Sequence, residues 1–145
     1  MTPSTRQLRS ESVEDHLERI QELVERVGYA RVSDLADELC LSRSTVSNMV
    51  QRLAKRGYVN YQRYRGFTLT EAGQAVAADI KTRHRTLTDF LSQLGLEADT
   101  IDAEVEEIEH HLKPQTLAAL SSLVAYWEEN PAALSTYRKF HSARR

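Results

Sequence analysis

Apolar positions in the first half of the chain recur with a helical period. Val13, Leu17, Ile20, Val24 and Val27 stand at i, i+4, i+7, i+11 and i+14, one face of a helix running from about Ser12 to Val27, and Gly28 ends it. In the stretch VSDLADELCLSRSTVSNMVQRLAKRG, Ser33 is placed to cap a short helix carrying Leu35, Ala36 and Leu39. Ser42 is placed to cap a second, carrying Val46, Val50 and Leu53. About three residues separate the two, the spacing of a helix-turn-helix. Beyond Gly57 the period falls to two: Val59 and Tyr61, then Phe67 and Leu69, predict a two-stranded hairpin whose tip carries Arg63, Tyr64 and Arg65. Tyr58 and Tyr61 are expected to pack within this hairpin. A helix-turn-helix followed at once by a basic hairpin is a winged helix.

The second half is helical throughout. A long helix is predicted from about Glu71 to Leu94, with Val76, Ile80, Leu87, Phe90, Leu91 and Leu94 on one side, and Gly95 breaks it. A helix from about Asp99 to Leu112 carries Ile101, Val105, Ile108 and Leu112, and Pro114 opens another. In that one Leu117, Leu120, Leu123, Val124 and Trp127 cover more surface than so small a monomer needs to bury, which points to dimerisation. A short helix after Pro131 ends in a basic tail, HSARR, expected to be solvated. The fold class is mainly α with a small two-stranded β wing, an N-terminal winged helix-turn-helix followed by a C-terminal helical dimerisation domain.

Charge refines this picture. The net charge is −2, yet between Glu38 and Glu71 there is no acidic residue, while Arg43, Arg52, Lys55, Arg56, Arg63 and Arg65 give that stretch +6. From Glu97 to His111 the pattern inverts, with seven carboxylates and no Lys or Arg. One part of the molecule suits phosphate and another suits cations. No apolar run approaches the roughly 18 residues of a membrane-spanning helix, and the first residues lack the apolar segment of a secretory signal, so a cytoplasmic protein without a membrane partner is expected. The single cysteine, Cys40, has apolar neighbours and is expected to be a small buried thiol.

On the second helix of the motif, Ser44, Ser47, Asn48 and Gln51 lie opposite the Val46, Val50, Leu53 stripe and face outward. Short hydroxyls and amides flanked by Arg43 and Arg52 are the groups that bond base edges and phosphates in a major groove. The expected contacts to double-stranded operator DNA are Arg43, Ser44, Thr45, Ser47, Asn48, Gln51 and Arg52, with Arg63 and Arg65 of the wing reaching backbone or minor groove.

In the acidic helix Glu106, Glu109 and His110 stand at i, i+3 and i+4, with Asp99 and Asp102 before them. An acidic helix alone is more often a solvated surface. Here His84 lies on the preceding long helix, and Asp15 and Glu18 lie at i, i+3 on the polar side of the first. Such carboxylates and imidazoles form a hard set without thiolate, which suits Mn2+ or Fe2+ better than structural zinc.

The stretches GYARVSDLADEL, STVSNMVQRLAKRGYV, YRGFTLTEAG and above all VEEIEHHL resemble the manganese-responsive branch of the diphtheria toxin repressor family, over roughly Ser12 to Asn130. That resemblance implies the metal ligands Asp15, Glu18, His84, Glu106, Glu109 and His110, with Glu106 and Glu109 bridging two Mn2+ ions per subunit. Iron-responsive members typically carry methionine at the position of Asp15 and cysteine at that of Glu106, so the resemblance implies manganese. Glu107 and His111 point to the other flank and are left outside the ligand set. Relative to the family, extra residues are expected before the first helix, and the small additional C-terminal domain of the iron-responsive branch is not expected.

The expectation is therefore a Mn2+-activated repressor, not an enzyme and without a small-molecule substrate. Residues 1–70 form the winged helix-turn-helix DNA-binding domain, and residues 71–145 the helical metal-binding and dimerisation domain. A homodimer presents two recognition helices about 34 Å apart, with each metal site between the domains of one protomer, and the targets are manganese-uptake genes. One rival is a winged-helix regulator answering to Fe2+ or another ligand, its acidic cluster structural. The other is a di-iron carboxylate enzyme, disfavoured because Glu107 and His110 form a single Glu-x-x-His where that fold supplies two.

Overall fold

The computed structural model describes residues 5–62 and 64–145, residues 5–12 as backbone alone. Arg63, one of the expected DNA contacts, lies outside the described residues. In chain order the elements are α1 (Thr5–Val27), α2 (Val32–Leu39), α3 (Arg43–Lys55), β1 (Val59–Gln62), β2 (Gly66–Leu69), α4 (Glu71–Gln93), α5 (Ala98–Ile108), α6 (Pro114–Glu129) and α7 (Pro131–Ser142). They form two compact units, residues 1–81 and 82–145, with the division falling inside α4. The mainly α fold with its two-stranded wing is the one the periodicities predict. The first helix begins earlier than expected, at Thr5 instead of Ser12, because no Gly or Pro interrupts the chain between Pro3 and Gly28 and most of the intervening residues favour helix.

In the first unit Leu17, Ile20 and Leu23 of α1, Leu35 and Ala36 of α2, and Val46, Val50 and Leu53 of α3 form one core with Val59, Phe67 and Leu69 of the wing. Each such side chain contributes about 1.5–3 kcal/mol relative to exposure, so the helix-turn-helix and its wing stand as a unit. Ser42 caps α3 as expected, its hydroxyl accepting from the Thr45 amide at 3.2 Å. Ser33 caps nothing: α2 starts one residue ahead of it, at Val32, with Arg31 in the N-cap position and no side-chain cap.

Cys40 is exposed, contrary to expectation. It occupies the left-handed position that ends α2, with φ at 56°. The Leu41 amide donates to Ala36 O at 3.0 Å and the Cys40 amide to Asp37 O at 3.4 Å, the paired bonds of a helix stop in which that side chain points outward.

The hairpin pairs Val59 with Leu69, Asn60 with Thr68, Tyr61 with Phe67 and Gln62 with Gly66. Its base is tied twice. The Ala30 amide donates to Phe67 O at 2.9 Å and the Phe67 amide to Ala30 O at 2.8 Å, adding a one-residue third strand. Thr70 donates its hydroxyl proton to Gly57 O at 2.6 Å and accepts from the Gly73 amide at 3.1 Å, so one side chain both closes the hairpin and caps α4. Tyr58 packs against the core as expected, whereas Tyr61 is 69% exposed.

In the second unit Leu87, Leu91, Ile101 and Val105 form the core, flanked by Phe90, Leu94, Ile108, Leu112 and Leu120. Phe90, Trp127, Tyr137 and His141 stack in series, with centroids about 6 Å apart at each step, and fasten α7 to α6 and α4. Among the described residues no helix is long and apolar enough to cross a membrane.

Candidate metal centre and nucleic-acid interface

The nucleic-acid candidate lies on the first unit. Burial of Val46, Val50 and Leu53 turns the opposite side of α3 outward, leaving Arg43, Ser44, Thr45, Asn48, Gln51 and Arg52 exposed and Ser47 half-buried. The hydroxyls of Ser44 and Thr45 lie 3.2 and 2.7 Å from that of Ser42, so these two also serve the cap at the start of α3. At the wing tip Tyr64 takes φ 71° and is 88% exposed, beside exposed Arg65. The Arg65 amide donates to Gln62 O at 3.2 Å, which holds the tip in a tight turn.

The metal candidate lies in the second unit. His84 on α4 and Glu106 and Glu109 at the end of α5 each present one ligand atom within 4.8 Å of the others. His84 Nδ1 and Glu109 Oε2 are 2.8 Å apart, and His110 Nε2 lies 3.6 Å from Glu109 Oε1. Glu109 is therefore the hub, with an imidazole at each oxygen. Its side chain is 2% exposed, Glu106 is exposed, and the His110 side chain is nearly buried. Burial pushes the Glu109 carboxyl above its ordinary value. The hydrogen bond and charge of His84 oppose that shift, the Glu106 charge adds to it, and His110 opposes it.

The acidic helix ends sooner than expected, at Ile108, so Glu109 is its C-cap and His110 stands on the following turn. Two causes act together. Carboxylates near a helix C-terminus oppose the backbone dipole, and α5 has no basic residue in its last turn. Pro114 then disfavours helix at Lys113, which is extended at φ −79°, ψ 149°. The Glu109 amide still bonds Val105 O at 3.0 Å, which preserves the helical spacing between Glu106 and Glu109.

Two groups escape a reading of the sequence. Arg83 Nη1 donates to the Glu109 carbonyl at 3.0 Å, anchoring the turn that carries the hub from a position 26 residues away. No local pattern joins residues so distant. His16 is 1% exposed, and its place on the face that turns inward between Asp15 and Leu17 was the available signal. Asp15 and Glu18 are both half-buried on α1, in the first unit. Glu107 and His111 are exposed.

This arrangement fits a divalent cation. A buried carboxylate whose ionisation is opposed by its surroundings, beside a second carboxylate and two imidazoles, offers oxygen and nitrogen donors and an energetic reason to accept positive charge.

The comparisons with known proteins bear on both surfaces. Residues 9–67 match the family described as iron dependent repressor, N-terminal DNA binding domain. Residues 70–136 match the description iron dependent repressor, metal binding and dimerisation domain. The HTH-type transcriptional regulator MntR of Lysinibacillus sphaericus (strain C3-41) is 44% identical over 120 residues, 83% of this chain and 86% of the relative. Among solved structures, the manganese regulator SloR is 31% identical with a TM-score of 0.69, over 87% of this chain and 55% of that one. A manganese-dependent transcriptional repressor in complex with manganese is 27% identical with a TM-score of 0.67, over 79% and 53% respectively. The chain thus spans about half the length of these solved proteins.

Proposed function

The chain belongs to the iron-dependent repressor family, and on that premise we propose that it is a cytoplasmic, Mn2+-activated transcriptional repressor that binds operator DNA as a homodimer and controls manganese-uptake genes. Metal-responsive repression through a DNA-binding and a dimerisation domain is the common property of the family, and the named relatives are transcriptional regulators. The class of metal rests chiefly on one observation: the buried Glu109 carboxylate, held between His84 and His110 and beside Glu106, in a set without sulfur. Such oxygen and nitrogen donors suit Mn2+ or Fe2+, and the family resemblance at Asp15 and Glu106 selects Mn2+ between them.

His84, Glu106, Glu109 and His110 are the proposed ligands from the second unit. Asp15 and Glu18 join them on the strength of the family resemblance, and a site for two ions per subunit follows from the same source. A bound divalent cation supplies charge that offsets the mutual repulsion of the carboxylates. The chain's own part is to hold Glu109 in place through Arg83 and His84, and to present the outward face of α3 to the major groove and Arg65 to the backbone. Metal and DNA then raise each other's affinity by one common factor, as linkage requires.

The test is binding of a labelled promoter duplex from a manganese-uptake gene, titrated with Mn2+, Fe2+ and Zn2+, for the natural chain and for Asp15→Met. Mn2+ is expected to raise affinity at least tenfold, a coupling of about 1.4 kcal/mol, and Asp15→Met to shift the preference toward Fe2+. Affinity indifferent to every metal would overturn the proposal. An unchanged preference in Asp15→Met would remove Asp15 from the set that selects the metal.

A further inference from the structure

The exposure of Tyr61 has no packing explanation. Its cross-strand partner Phe67 is 1% exposed, whereas Tyr61 itself is 69% exposed, although both belong to the same register pair of the hairpin. Tyr61 lines a groove of about 500 Å³ together with Val32 of α2 and with Ser47, Val50, Gln51, Ala54 and Lys55 of α3. Ser47, Gln51 and Lys55 are spaced by four, so they form one row along α3. The row begins in the face already assigned to base reading and ends in an ammonium group at the last residue of the helix.

A recognition helix reads bases chiefly from its N-terminal part. Its C-terminal end accordingly leaves the groove floor and meets the sugar-phosphate wall. Residues 39–70 contain no carboxylate that could compete for Lys55, and a phenol hydroxyl is a neutral donor well suited to a phosphate oxygen.

We infer that the groove between α3 and β1 seats a phosphate of the DNA backbone, held by the Tyr61 hydroxyl and the Lys55 ammonium, which makes Tyr61 a positioning residue for the approach of α3. The inference rests on the DNA-binding function proposed above and extends it to a contact that carries no base information. Its consequence is a contribution shared by every DNA sequence.

The experiment compares the natural chain, Tyr61→Phe, Lys55→Gln and the double variant on two labelled duplexes, the promoter fragment and a mixed-sequence DNA, with saturating Mn2+ over a salt series. Thermal melts check that each variant is folded. Tyr61→Phe is expected to weaken both duplexes by about tenfold, the cost of one hydrogen bond to a charged group, without altering the salt dependence. Lys55→Gln is expected to lower the slope of log affinity against log salt by about 0.9. The double variant should lose less than the product of the two, since both groups share one phosphate. Tyr61→Phe binding within about twofold of the natural chain, an unaltered slope in Lys55→Gln, or a loss confined to the promoter duplex would each overturn the inference. Failure of the natural chain to bind either duplex with Mn2+ would instead sink the proposed function, and this contact with it.

Discussion

A carboxylate with 2% exposure, such as Glu109, is costly to ionise. Burial raises its pKa, and two imidazoles offset only part of that cost. Replacing Glu109 by Gln keeps the shape and removes the charge. The metal-free protein is then expected to melt at a higher temperature, because a neutral amide avoids the cost of burying the charge, while the rise in melting temperature that Mn2+ gives the natural chain disappears. Calorimetry with and without Mn2+ checks both, and a Glu109→Gln protein still stabilised by Mn2+ would refute the hub role. At the N-cap of α3, Ser42→Ala should cost about 1 kcal/mol, read as a lowered urea midpoint with unchanged slope. Cys40 presents the opposite case. In its left-handed, exposed position glycine is the preferred residue, so Cys40→Gly should leave the melting temperature the same or higher, where a buried cysteine would lose stability on the same change.

At the level of elements, the wing depends on Gly66. Its φ is 110°, and a Cβ there would run into the Ala30 carbonyl oxygen, whose hydrogen bond with the Phe67 amide fastens the hairpin to the chain between α1 and α2. Gly66→Ala is therefore expected to destabilise the first unit by about 2 kcal/mol or more, and to weaken DNA binding through loss of the wing while leaving the metal cluster of the second unit intact. Hydrogen exchange at the Phe67 amide is a direct readout, and unchanged protection there would count against this account. The end of α5 follows a similar logic. Its acidic last turn cannot extend comfortably, and the early stop lets His110 stand on a turn where its ring reaches Glu109.

For the whole molecule, the outer side of α6 is the telling surface. Val124 and Trp127 face inward, while Leu123 is 37% and Tyr126 53% exposed. The family match is to a dimerisation domain, and these two side chains are the ones on α6 that a second copy is expected to cover. The double change Leu123→Lys with Tyr126→Lys should shift the molecular mass measured by light scattering toward the monomer and lower DNA affinity through loss of paired half-site binding. A variant that remains dimeric would place the interface on another face.

The winged helix, the charge reversal along the chain and the hard character of the candidate ligands were legible without coordinates, because each is a matter of spacing, period or residue type. The periodic burial of Val46, Val50 and Leu53 left no choice about which side of α3 faces solvent, and a cap such as Ser42 acts within three residues of itself. Contacts between distant residues were not legible in this way. That Arg83 grips the Glu109 carbonyl and that Thr70 ties Gly57 to α4 depend on how helices pack, and the meeting of His84 with Glu106 and Glu109 was expected only through the family resemblance. The same holds for the fates of Cys40 and Tyr61. Hydrophobic character predicted both to be covered, but the helix stop turns Cys40 out, and Tyr61 faces a groove beside α3 that the core does not fill. Local chemistry fixes which residues are able to act, and long-range packing, which no period encodes, decides which of them meet.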